Sequence, residues 1–234
     1  MKFVGMTGVA AAVLCWSGSA LAGTTTNLGV VSEYLLRGIE GSHGIAVQGG
    51  VDWSGASGVY LGTWGSELGG PGKVGDFELD TYGGWSGKLG AVTLDLGAVY
   101  YAYPDDERNP DYDYPEVYAK LGIGVLALQL YYAKDFYGEA IEAAARLAGK
   151  DNAGSYANAL FTLPLSRVIN LTLQAGRSGG EGVEVVYGEE YVDYGAALTQ
   201  TFKRDVTLSL GAYHTTLEGD DWKVVAGLRQ TVAF

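Results

Sequence analysis

The last eleven residues of the chain, VVAGLRQTVAF (224–234), alternate between two faces and end on an aromatic side chain. Counting back from Phe234, every second position is mostly apolar, whereas the interleaved positions are smaller or more polar. This alternation is typical of a half-buried strand in a soluble antiparallel sheet. It is equally typical of the closing strand of a membrane β-barrel, which is apolar toward lipid. The rest of the chain decides between these two interpretations.

The first 22 residues have the features of a secretory signal peptide. Lys2 precedes an apolar run, and the small-residue pattern of residues 20–22 before Gly23 is that of a cleavage site. A retained membrane anchor is the alternative, which the Gly and Ser content of the segment disfavours. Cys15 is the only cysteine, so the predicted mature domain, residues 23–234, contains no disulfide.

The composition favours an exported β-barrel over a soluble α/β enzyme. Glycine accounts for 37 of 234 residues and tyrosine for 17, and no later apolar run is long enough for a transmembrane helix. The chain has 27 acids and 15 bases, a net charge of −12; loss of Lys2 with the signal peptide leaves 14 bases and −13. A nucleic-acid partner, which requires a basic face, is therefore excluded from the prediction.

Strand-like stretches recur along the whole chain, and many alternate with a period of two residues. A tilted strand needs about 9–11 residues to cross a bilayer, and most of these stretches reach that length. The sequence predicts twelve strands, at 27–39, 44–53, 58–66, 76–86, 91–103, 114–122, 125–134, 154–163, 167–177, 190–202, 206–216 and 222–234.

The connections between these strands alternate between short and long. Short links such as SGAS (54–57) and GKLG (87–90) lie at one end, and long links such as residues 135–152 lie at the other. Short periplasmic turns and longer extracellular loops are the pattern of outer-membrane barrels. We therefore predict an all-β fold, a transmembrane antiparallel β-barrel of about 12 strands with both termini in the periplasm. Residues 139–148 are predicted to form a short helix outside it.

The terminal aromatic residue has an explanation in this fold. Bacterial outer-membrane proteins commonly end in an aromatic residue preceded by alternating apolar residues, which the assembly machinery reads. Phe234 is therefore the predicted assembly signal, and the predicted location is the bacterial outer membrane of a Gram-negative cell. The expected partners are outer-membrane lipid, the barrel-assembly machinery and small hydrophilic solutes or ions.

Charged residues on the predicted lumen face are the candidate site. Glu33 and Arg37 share a face of the first predicted strand, and Asp76, Glu78 and Asp80 form a ladder spaced about 7 Å apart. Such groups line a pore or only pair with one another for stability. The excess of four acids predicts weak cation selectivity. The predicted pore-lining residues are Glu33, Asp52, Asp76, Glu78, Asp80, Asp95, Glu116 and Asp193, with Arg37, Lys120, Lys223 and Arg229.

Catalytic and metal chemistry finds little support in the sequence. His43 and His214 are the two histidines, and neither has the base, orienting group and nucleophile that covalent catalysis requires. The acidic segment PDDERNPDYDYP (104–115) offers oxygen ligands to Ca²⁺ but lacks EF-hand spacing, so a solvated loop is favoured. No enzyme activity, cofactor or metal is predicted.

The first half of the chain resembles the TorF family of proteobacterial porin-like proteins. The resemblance covers about 75 residues, and it implies an outer-membrane barrel without indicating a solute or catalytic residues. The matching segments are VSEYLLRGI (31–39), AVQGGVDW (46–53), GVYLGTWGS (58–66), ELDTYGGWSG (78–87) and LDLGAVYYAYP (94–104).

The predicted function is passive diffusion of small solutes or ions through a porin-like channel. Four inward tyrosines, Tyr82, Tyr101, Tyr118 and Tyr131, are expected to narrow the pore. The first alternative is a closed barrel with a structural or adhesive role in the envelope. The second is a lipid-modifying outer-membrane enzyme, for which His214 is the residue to test.

Overall fold

The computed structural model describes residues 22–69, 75–104 and 111–234. The helices in these ranges are α1 (Gly138–Leu147), α2 (Glu181–Tyr187) and a 3-10 helix (Lys203–Asp205). The strands are β1 (Gly23–Val31), β2 (Leu35–Leu36), β3 (Ile39–Glu40), β4 (Ala46–Ser54), β5 (Val59–Glu67), β6 (Phe77–Leu89), β7 (Val92–Ala102), β8 (Tyr114–Ile123), β9 (Leu126–Ala133), β10 (Gly154–Pro164), β11 (Ile169–Gly179), β12 (Tyr191–Thr201), β13 (Val206–Thr215) and β14 (Lys223–Ala233).

Twelve of these strands form a closed antiparallel barrel in the order β1-β14-β13-β12-β11-β10-β9-β8-β7-β6-β5-β4, and β4 pairs with β1 to complete the ring. The seam between the first and last strands runs from the pair Thr25 and Ala233 to the pair Val31 and Gly227. Closure leaves no sheet edge with unpaired backbone groups, which a lipid environment requires. The predicted fold class is confirmed.

The barrel turns its polar residues inward and its apolar residues outward. The buried inward positions include small polar side chains, namely Asn158, Thr162, Thr172, Thr199, Thr207 and Ser209. The exposed outward positions are largely aliphatic and include Leu28, Val51, Leu61, Leu96, Val117, Leu121, Leu128, Leu173, Leu198, Leu210 and Leu228. An apolar outer band around a polar lumen is the arrangement of transmembrane β-barrels.

The connections alternate as the sequence predicts. Five turns of two to four residues lie at the end that carries both termini, and six connections of seven to twenty residues lie at the other end. The two shortest turns begin at Gly90 (φ 63) and Gly124 (φ 59), where positive φ favours glycine. Helix α1 agrees with the predicted helix within one residue, whereas α2 was not predicted.

Eleven of the twelve predicted strands agree with the structure within three residues at each end, but the first does not. The prediction of a strand over 27–39 is wrong, because β1 ends at Val31, the last residue that pairs with both β14 and β4. The Ser32 hydroxyl then accepts a hydrogen bond from the Ala226 backbone N–H (3.0 Å) and takes the place of a ladder partner. Residues 32–45 leave the sheet and turn into the barrel.

Two predictions concern residues that lie partly or largely outside the described ranges. The signal peptide covers residues 1–22, of which the structure describes Ala22, and half of the acidic segment considered for Ca²⁺ falls in 105–110. In the described part of the chain, no helix is both long and apolar enough to cross a membrane. No group of three or more acidic, His or Cys side chains suits a metal ion there either.

Candidate channel lumen

A short hairpin occupies the outer part of the lumen. Within residues 32–45, Leu35 pairs with Glu40 and Leu36 pairs with Ile39, so residues 34–41 form what we call the lumen hairpin. Its two tip residues, Arg37 and Gly38, have φ angles of 53° and 81°. Positive φ at both central residues is the geometry of the two-residue turns that match the twist of a hairpin.

Apolar contacts hold the base of the hairpin against two parts of the wall. Leu35 is 1% exposed and packs with Tyr213 and Val225 on β13 and β14. On the other side, the Tyr34 ring lies 5.5 Å from the Trp64 ring between their centroids. The Tyr34 hydroxyl donates a 2.6 Å hydrogen bond to Glu78 on β6. The hairpin is therefore fixed to two separate parts of the wall.

Arg37 carries the tip of the hairpin to a third part of the wall. Its Nη2 lies 2.5 Å from Glu116 Oε2, and both side chains are buried. The guanidinium carbon lies 5.3 Å from the ring centroid of Tyr131 and 4.8 Å from that of Tyr156, within the range of cation–π attraction. The Tyr101 hydroxyl donates a further 3.2 Å hydrogen bond to Glu116.

Gly38 brings the hairpin backbone against β12 and β13. A Cβ atom added at Gly38 would lie 2.6 Å from Thr215 Cγ2 and 2.8 Å from Asp193 Cβ, so only glycine fits. Asp193 in turn accepts hydrogen bonds from the Tyr156 hydroxyl (3.1 Å) and Gln174 Nε2 (3.3 Å). The hairpin thus contacts most of the circumference at one level, which we call the outer constriction.

The outer constriction is acidic. Glu78, Asp80 and Glu116 are each no more than 2% exposed, and Arg37 is the cation that forms an ion pair among them. Asp80 is close enough to Glu78 and Glu116 for their charges to act on it. In the described structure, Asp80 Oδ1 and Glu116 Oε1 have no hydrogen-bond partner. With Asp193, which the hairpin tip contacts at the same level, four acidic side chains lie around one guanidinium, an excess of three acids.

A second polar layer lies nearer the periplasmic end. The Tyr60 hydroxyl donates to Asp95 (2.5 Å) and lies 2.6 Å from the Tyr118 hydroxyl. Lys120 is in register with Asp95, and its Nζ lies 4.5 Å from the Tyr118 ring centroid.

Asp52 extends this inner layer on the neighbouring strand β4. It accepts a 2.5 Å hydrogen bond from the Tyr82 hydroxyl, and Arg229 is close enough to act on its charge. Acids and bases are balanced more evenly here than at the outer constriction.

The structure brings nine of the twelve predicted pore-lining residues into the lumen, although Arg37 reaches it from the hairpin and not from a strand. Away from the two rims, the described inward positions hold six acids and three bases, an excess of three acids. These residues are Asp52, Glu78, Asp80, Asp95, Glu116 and Asp193, with Arg37, Lys120 and Arg229.

The other three predicted residues lie elsewhere. Glu33 is half-buried between β1 and β2, and no strand holds it on a common face with Arg37. Asp76 is exposed and precedes β6, so the predicted ladder of three acids is a pair, Glu78 and Asp80. Lys223 faces inward at the outer rim and binds Asp220 of the preceding loop.

The lumen hairpin was missed by the sequence reasoning, although a signal was present. Residues 36–39 read Leu-Arg-Gly-Ile, in which glycine follows one residue between two apolar positions, a weaker form of the Asn-Gly or Asp-Gly hairpin signal. Residues 31–37 read VSEYLLR and show no clean alternation of apolar and polar side chains, so counting in twos did not reveal where the chain leaves the sheet. The face on which a side chain lies can be counted from neighbouring residues. Which strand a segment pairs with depends on residues far away in the sequence.

His214, the residue considered for catalysis, lies on the outer face of β13. Its ring stacks on Tyr194 at 5.5 Å and 15°, and it meets the Trp222 ring at 5.2 Å and 66°. Its Nδ1 lies 3.9 Å from Asp220 Oδ2. The Thr216 hydroxyl accepts a hydrogen bond from the Val192 backbone N–H. His214 therefore sits in an aromatic cluster near the outer rim, as is common at membrane interfaces.

Comparisons with known proteins agree on the fold. A family model described as "Bacterial protein of unknown function (Gcw_chp)" matches residues 17–233. The KdgM porin is similar with a TM-score of 0.58 and 8% sequence identity, over 88% of this chain and 98% of the porin. The KdgM porin in complex with disordered oligogalacturonate is similar with a TM-score of 0.56 and 6% identity, over 88% and 98% of the two chains.

A second channel has the same architecture. The COG4313 outer membrane channel from Pseudomonas putida F1 has a TM-score of 0.53 and 13% identity, over 94% of this chain and 98% of the channel. No curated protein matches the sequence. At these identities the similarity establishes the barrel fold.

Proposed function

Because the chain belongs to the Gcw_chp family of bacterial proteins of unknown function, we propose its function from the geometry of its lumen: it is an outer-membrane channel for passive diffusion of small hydrophilic solutes or ions, with a weak preference for cations. The observation that carries the proposal is the charged lumen inside a barrel whose exterior is apolar. A polar interior of this kind is useful to a membrane protein that passes water-soluble molecules.

The predicted location follows from the same distribution. The exposed aliphatic band would be unfavourable in water, and closed antiparallel barrels with such bands are the proteins of bacterial outer membranes. The names of the similar structures, a porin and an outer membrane channel, support this location and a channel role. Outer-membrane lipid and the barrel-assembly machinery remain the expected partners, and the TorF resemblance remains a prediction.

The charge balance is the basis for the cation preference. The outer constriction has an excess of three acidic side chains, since Glu78, Asp80, Glu116 and Asp193 surround Arg37. A water-filled lumen walled by low-dielectric material focuses such a field on a passing ion. The preference should strengthen at low ionic strength, where the screening length grows from about 10 Å at 0.1 M to about 30 Å at 0.01 M.

Ion selectivity in planar bilayers tests the proposal. Purified protein is reconstituted, and the reversal potential is measured under a KCl gradient for the wild type and for Glu78→Gln/Asp80→Asn. We expect cation selectivity in the wild type and a weaker preference in the double variant. Glu142→Gln, which removes a charge from the exposed face of α1, is the matched control and should behave as the wild type.

Each result decides a different part of the proposal. Anion selectivity in the wild type would contradict the assigned charge balance. An unchanged reversal potential in the double variant would mean that ions pass away from Glu78 and Asp80. Absence of any conductance would reject the channel itself.

A closed structural or adhesive barrel is the second candidate function, because the lumen hairpin is bonded to several parts of the wall at once. The two candidates differ in what displacing the hairpin does. In a channel, displacement increases an existing conductance. In a closed structural barrel, conductance appears only after displacement.

A further inference from the structure

A cavity of about 390 Å³ lies at the outer mouth of the barrel, on the extracellular side of the lumen hairpin. Its volume is that of a small-molecule binding site. Five tyrosines, Tyr34, Tyr103, Tyr112, Tyr137 and Tyr187, form much of its lining. Leu68 and apolar side chains of the hairpin and of both helices contribute further lining.

The two helices and their contacts shape the aromatic walls of this cavity. The Tyr112 and Tyr137 rings meet edge to face, with centroids 6.3 Å apart and planes at 75°. The Tyr187 hydroxyl of α2 lies 3.5 Å from that of Tyr137 at the start of α1. An ion pair between Lys150 and Glu184 (2.5 Å) also joins the two loops. Rings that approach from different directions are the arrangement of an aromatic cage.

The hydroxyl groups of these tyrosines are largely engaged with the protein. Tyr34 donates to Glu78, Tyr103 also forms a hydrogen bond with Glu78, and Tyr137 and Tyr187 contact each other. A sugar would need such donors and acceptors to be free. The cavity therefore presents ring surface rather than hydroxyl groups to a ligand.

The charged side chains among the described lining residues of the cavity are acidic. Glu78 and Glu40 line it, and none of its described lining residues is Lys, Arg or His. Glu78 is 2% exposed and, in the described part of the chain, no ion pair reaches it. Arg37 lies near enough for its charge to act on Glu78, and a cationic ligand would stabilise the buried carboxylate further. An anionic ligand would meet repulsion at this site.

We propose that this cavity binds a small organic cation of the alkylammonium class. The charged nitrogen lies over the tyrosine rings and toward Glu78, while its alkyl groups contact Leu36, Ile39 and Val186 of the lining. Aromatic faces attract such cations because of the ring quadrupole, and the attraction is strongest where water is excluded. The inference deepens the proposed function, since the site stands directly before the outer constriction and selects what enters it.

Binding to the full folded chain in detergent tests the proposal by calorimetry at pH 7. Choline is the probe, and its neutral isostere 3,3-dimethylbutan-1-ol has the same shape without the charge. We expect choline to bind roughly tenfold or more tightly than the isostere. Galacturonate and glucose serve as anionic and neutral sugar probes and should bind more weakly than choline.

Two variants locate the site. Glu78→Gln removes the charge at nearly constant volume, and Tyr187→Leu removes an aromatic face that belongs to no strand. Each should weaken choline binding by roughly tenfold, since either attraction is worth about that factor. The matched controls are Glu142→Gln on the exposed face of α1 and Tyr132→Leu on the lipid-facing side of β9, and both should leave choline binding unchanged.

The outcomes separate this inference from the channel proposal. Equal binding of choline and its isostere, or tighter binding of either sugar probe, would overturn the cation site. So would choline binding that is unaffected by both site variants. If potassium is conducted but choline is not bound, the site is rejected and the channel stands. If choline binds but no current flows, the channel is rejected and the site stands.

Discussion

Arg37 combines an unfavourable backbone with a dense set of side-chain contacts. Its φ angle of 53° costs a non-glycine residue about 1–2 kcal/mol. Contacts with Glu116, Tyr131 and Tyr156 offset that cost. Strain maintained in this way is often found where a side chain must be held in one place. Here the place is the outer constriction.

Replacing Arg37 should make the pore more selective for cations. In Arg37→Gln the constriction keeps its four acidic side chains and loses its guanidinium. One unit charge about 4 Å from a passing ion changes its energy by about 1 kcal/mol in water, or roughly fivefold in permeability ratio. The reversal potential under a KCl gradient measures this change. Arg177→Gln, at an exposed ion pair with Glu190, is the control, and an equal effect there would contradict the prediction.

Gly38 and Gly44 provide a matched pair for testing whether contact with β12 and β13 holds the hairpin in place. Both have positive φ, 81° and 98°, but an added Cβ meets Thr215 and Asp193 at Gly38 and no atom within 4 Å at Gly44. Gly38→Ala should therefore displace the hairpin and raise single-channel conductance. Gly44→Ala carries only the backbone strain and should leave conductance near the wild-type value. Equal conductance in the two variants would show that the hairpin does not obstruct the path.

Which lumen residues could be predicted depended on where the chain stays in the sheet. Strict alternation within regular strands identified Asp95, Glu116, Lys120 and Asp193 as inward-facing, because a strand side is set by counting in twos. Arg37 was assigned to the lumen for the wrong reason, since it lies at the tip of the lumen hairpin and not in a barrel strand. The hydrogen bonds of the lumen join distant strands, and local sequence carries no information about them.

At the scale of elements, α2 shows how tertiary contacts override propensity. Its sequence EGVEVVY contains three valines, which favour strands. The helix is short, ends at Gly188 in the left-handed region (φ 86°) and buries Val183. Glycine at this position is a common helix end. Helix α1, by contrast, has the alanine-rich composition of a good helix former and was predicted.

The loop that carries α2 should loosen in acid. The hydrogen bond from the Gly180 backbone N–H, followed by that from Arg177, holds the pKa of Glu190 below its ordinary value of 4.5. Because the folded pKa is depressed, the carboxylate stabilises the loop above pH 4.5, and this stabilisation is lost as the pH falls through the folded pKa. Amide hydrogen exchange of residues 180–190, corrected for intrinsic rates, measures the change between pH 6 and pH 3.

Variants attribute that change to one carboxylate. Glu190→Gln should exchange faster than the wild type at pH 6 and lose most of the pH dependence. Glu189→Gln, at the exposed neighbouring position, should retain it. The same pH dependence in Glu190→Gln as in the wild type would contradict the prediction.

The loop that carries α1 should be dispensable for folding of the barrel but necessary for the cavity. Residues 137–151 contribute Tyr137 and Ile141 to the cavity lining, whereas β9 and β10 already pair from Ala133 and Gly154. Replacing 137–151 by a Gly-Ser linker of equal length should preserve the heat-modifiable folded band on a gel. Choline binding should be lost. Arg146→Ala changes α1 on its exposed side and leaves the cavity lining in place. This control should therefore retain choline binding.

At the scale of the whole molecule, the number of strands could be predicted and the filling of the lumen could not. The number of strands follows from the alternation of short turns and long loops. This alternation can be recognised from local stretches of the sequence. The lumen hairpin depends on packing between Leu35 and side chains of β13 and β14, which lie almost two hundred residues further along the chain. Such contacts exist only after the ring has closed.

Closure of the ring should depend on the last residue. The Phe234 backbone N–H donates a 2.9 Å hydrogen bond to the Thr24 carbonyl, and its ring is 80% exposed on the outside. Deleting Phe234 should therefore lower the yield of heat-modifiable, membrane-inserted barrel at low expression. Phe234→Tyr keeps the aromatic ring and should assemble normally. Full insertion of the deletion variant would contradict the assigned role of Phe234.

The lumen hairpin shares no ladder hydrogen bond with the barrel strands, because its pairs lie within residues 34–41. Substitutions at its tip can therefore alter the chemistry of the passage while leaving the register of all twelve barrel strands untouched. Mutations that change the lumen surface at the hairpin therefore need not change the pairing of the barrel strands. In the proposed channel, the hairpin tip is therefore a part of the passage that single substitutions can change without rebuilding the barrel.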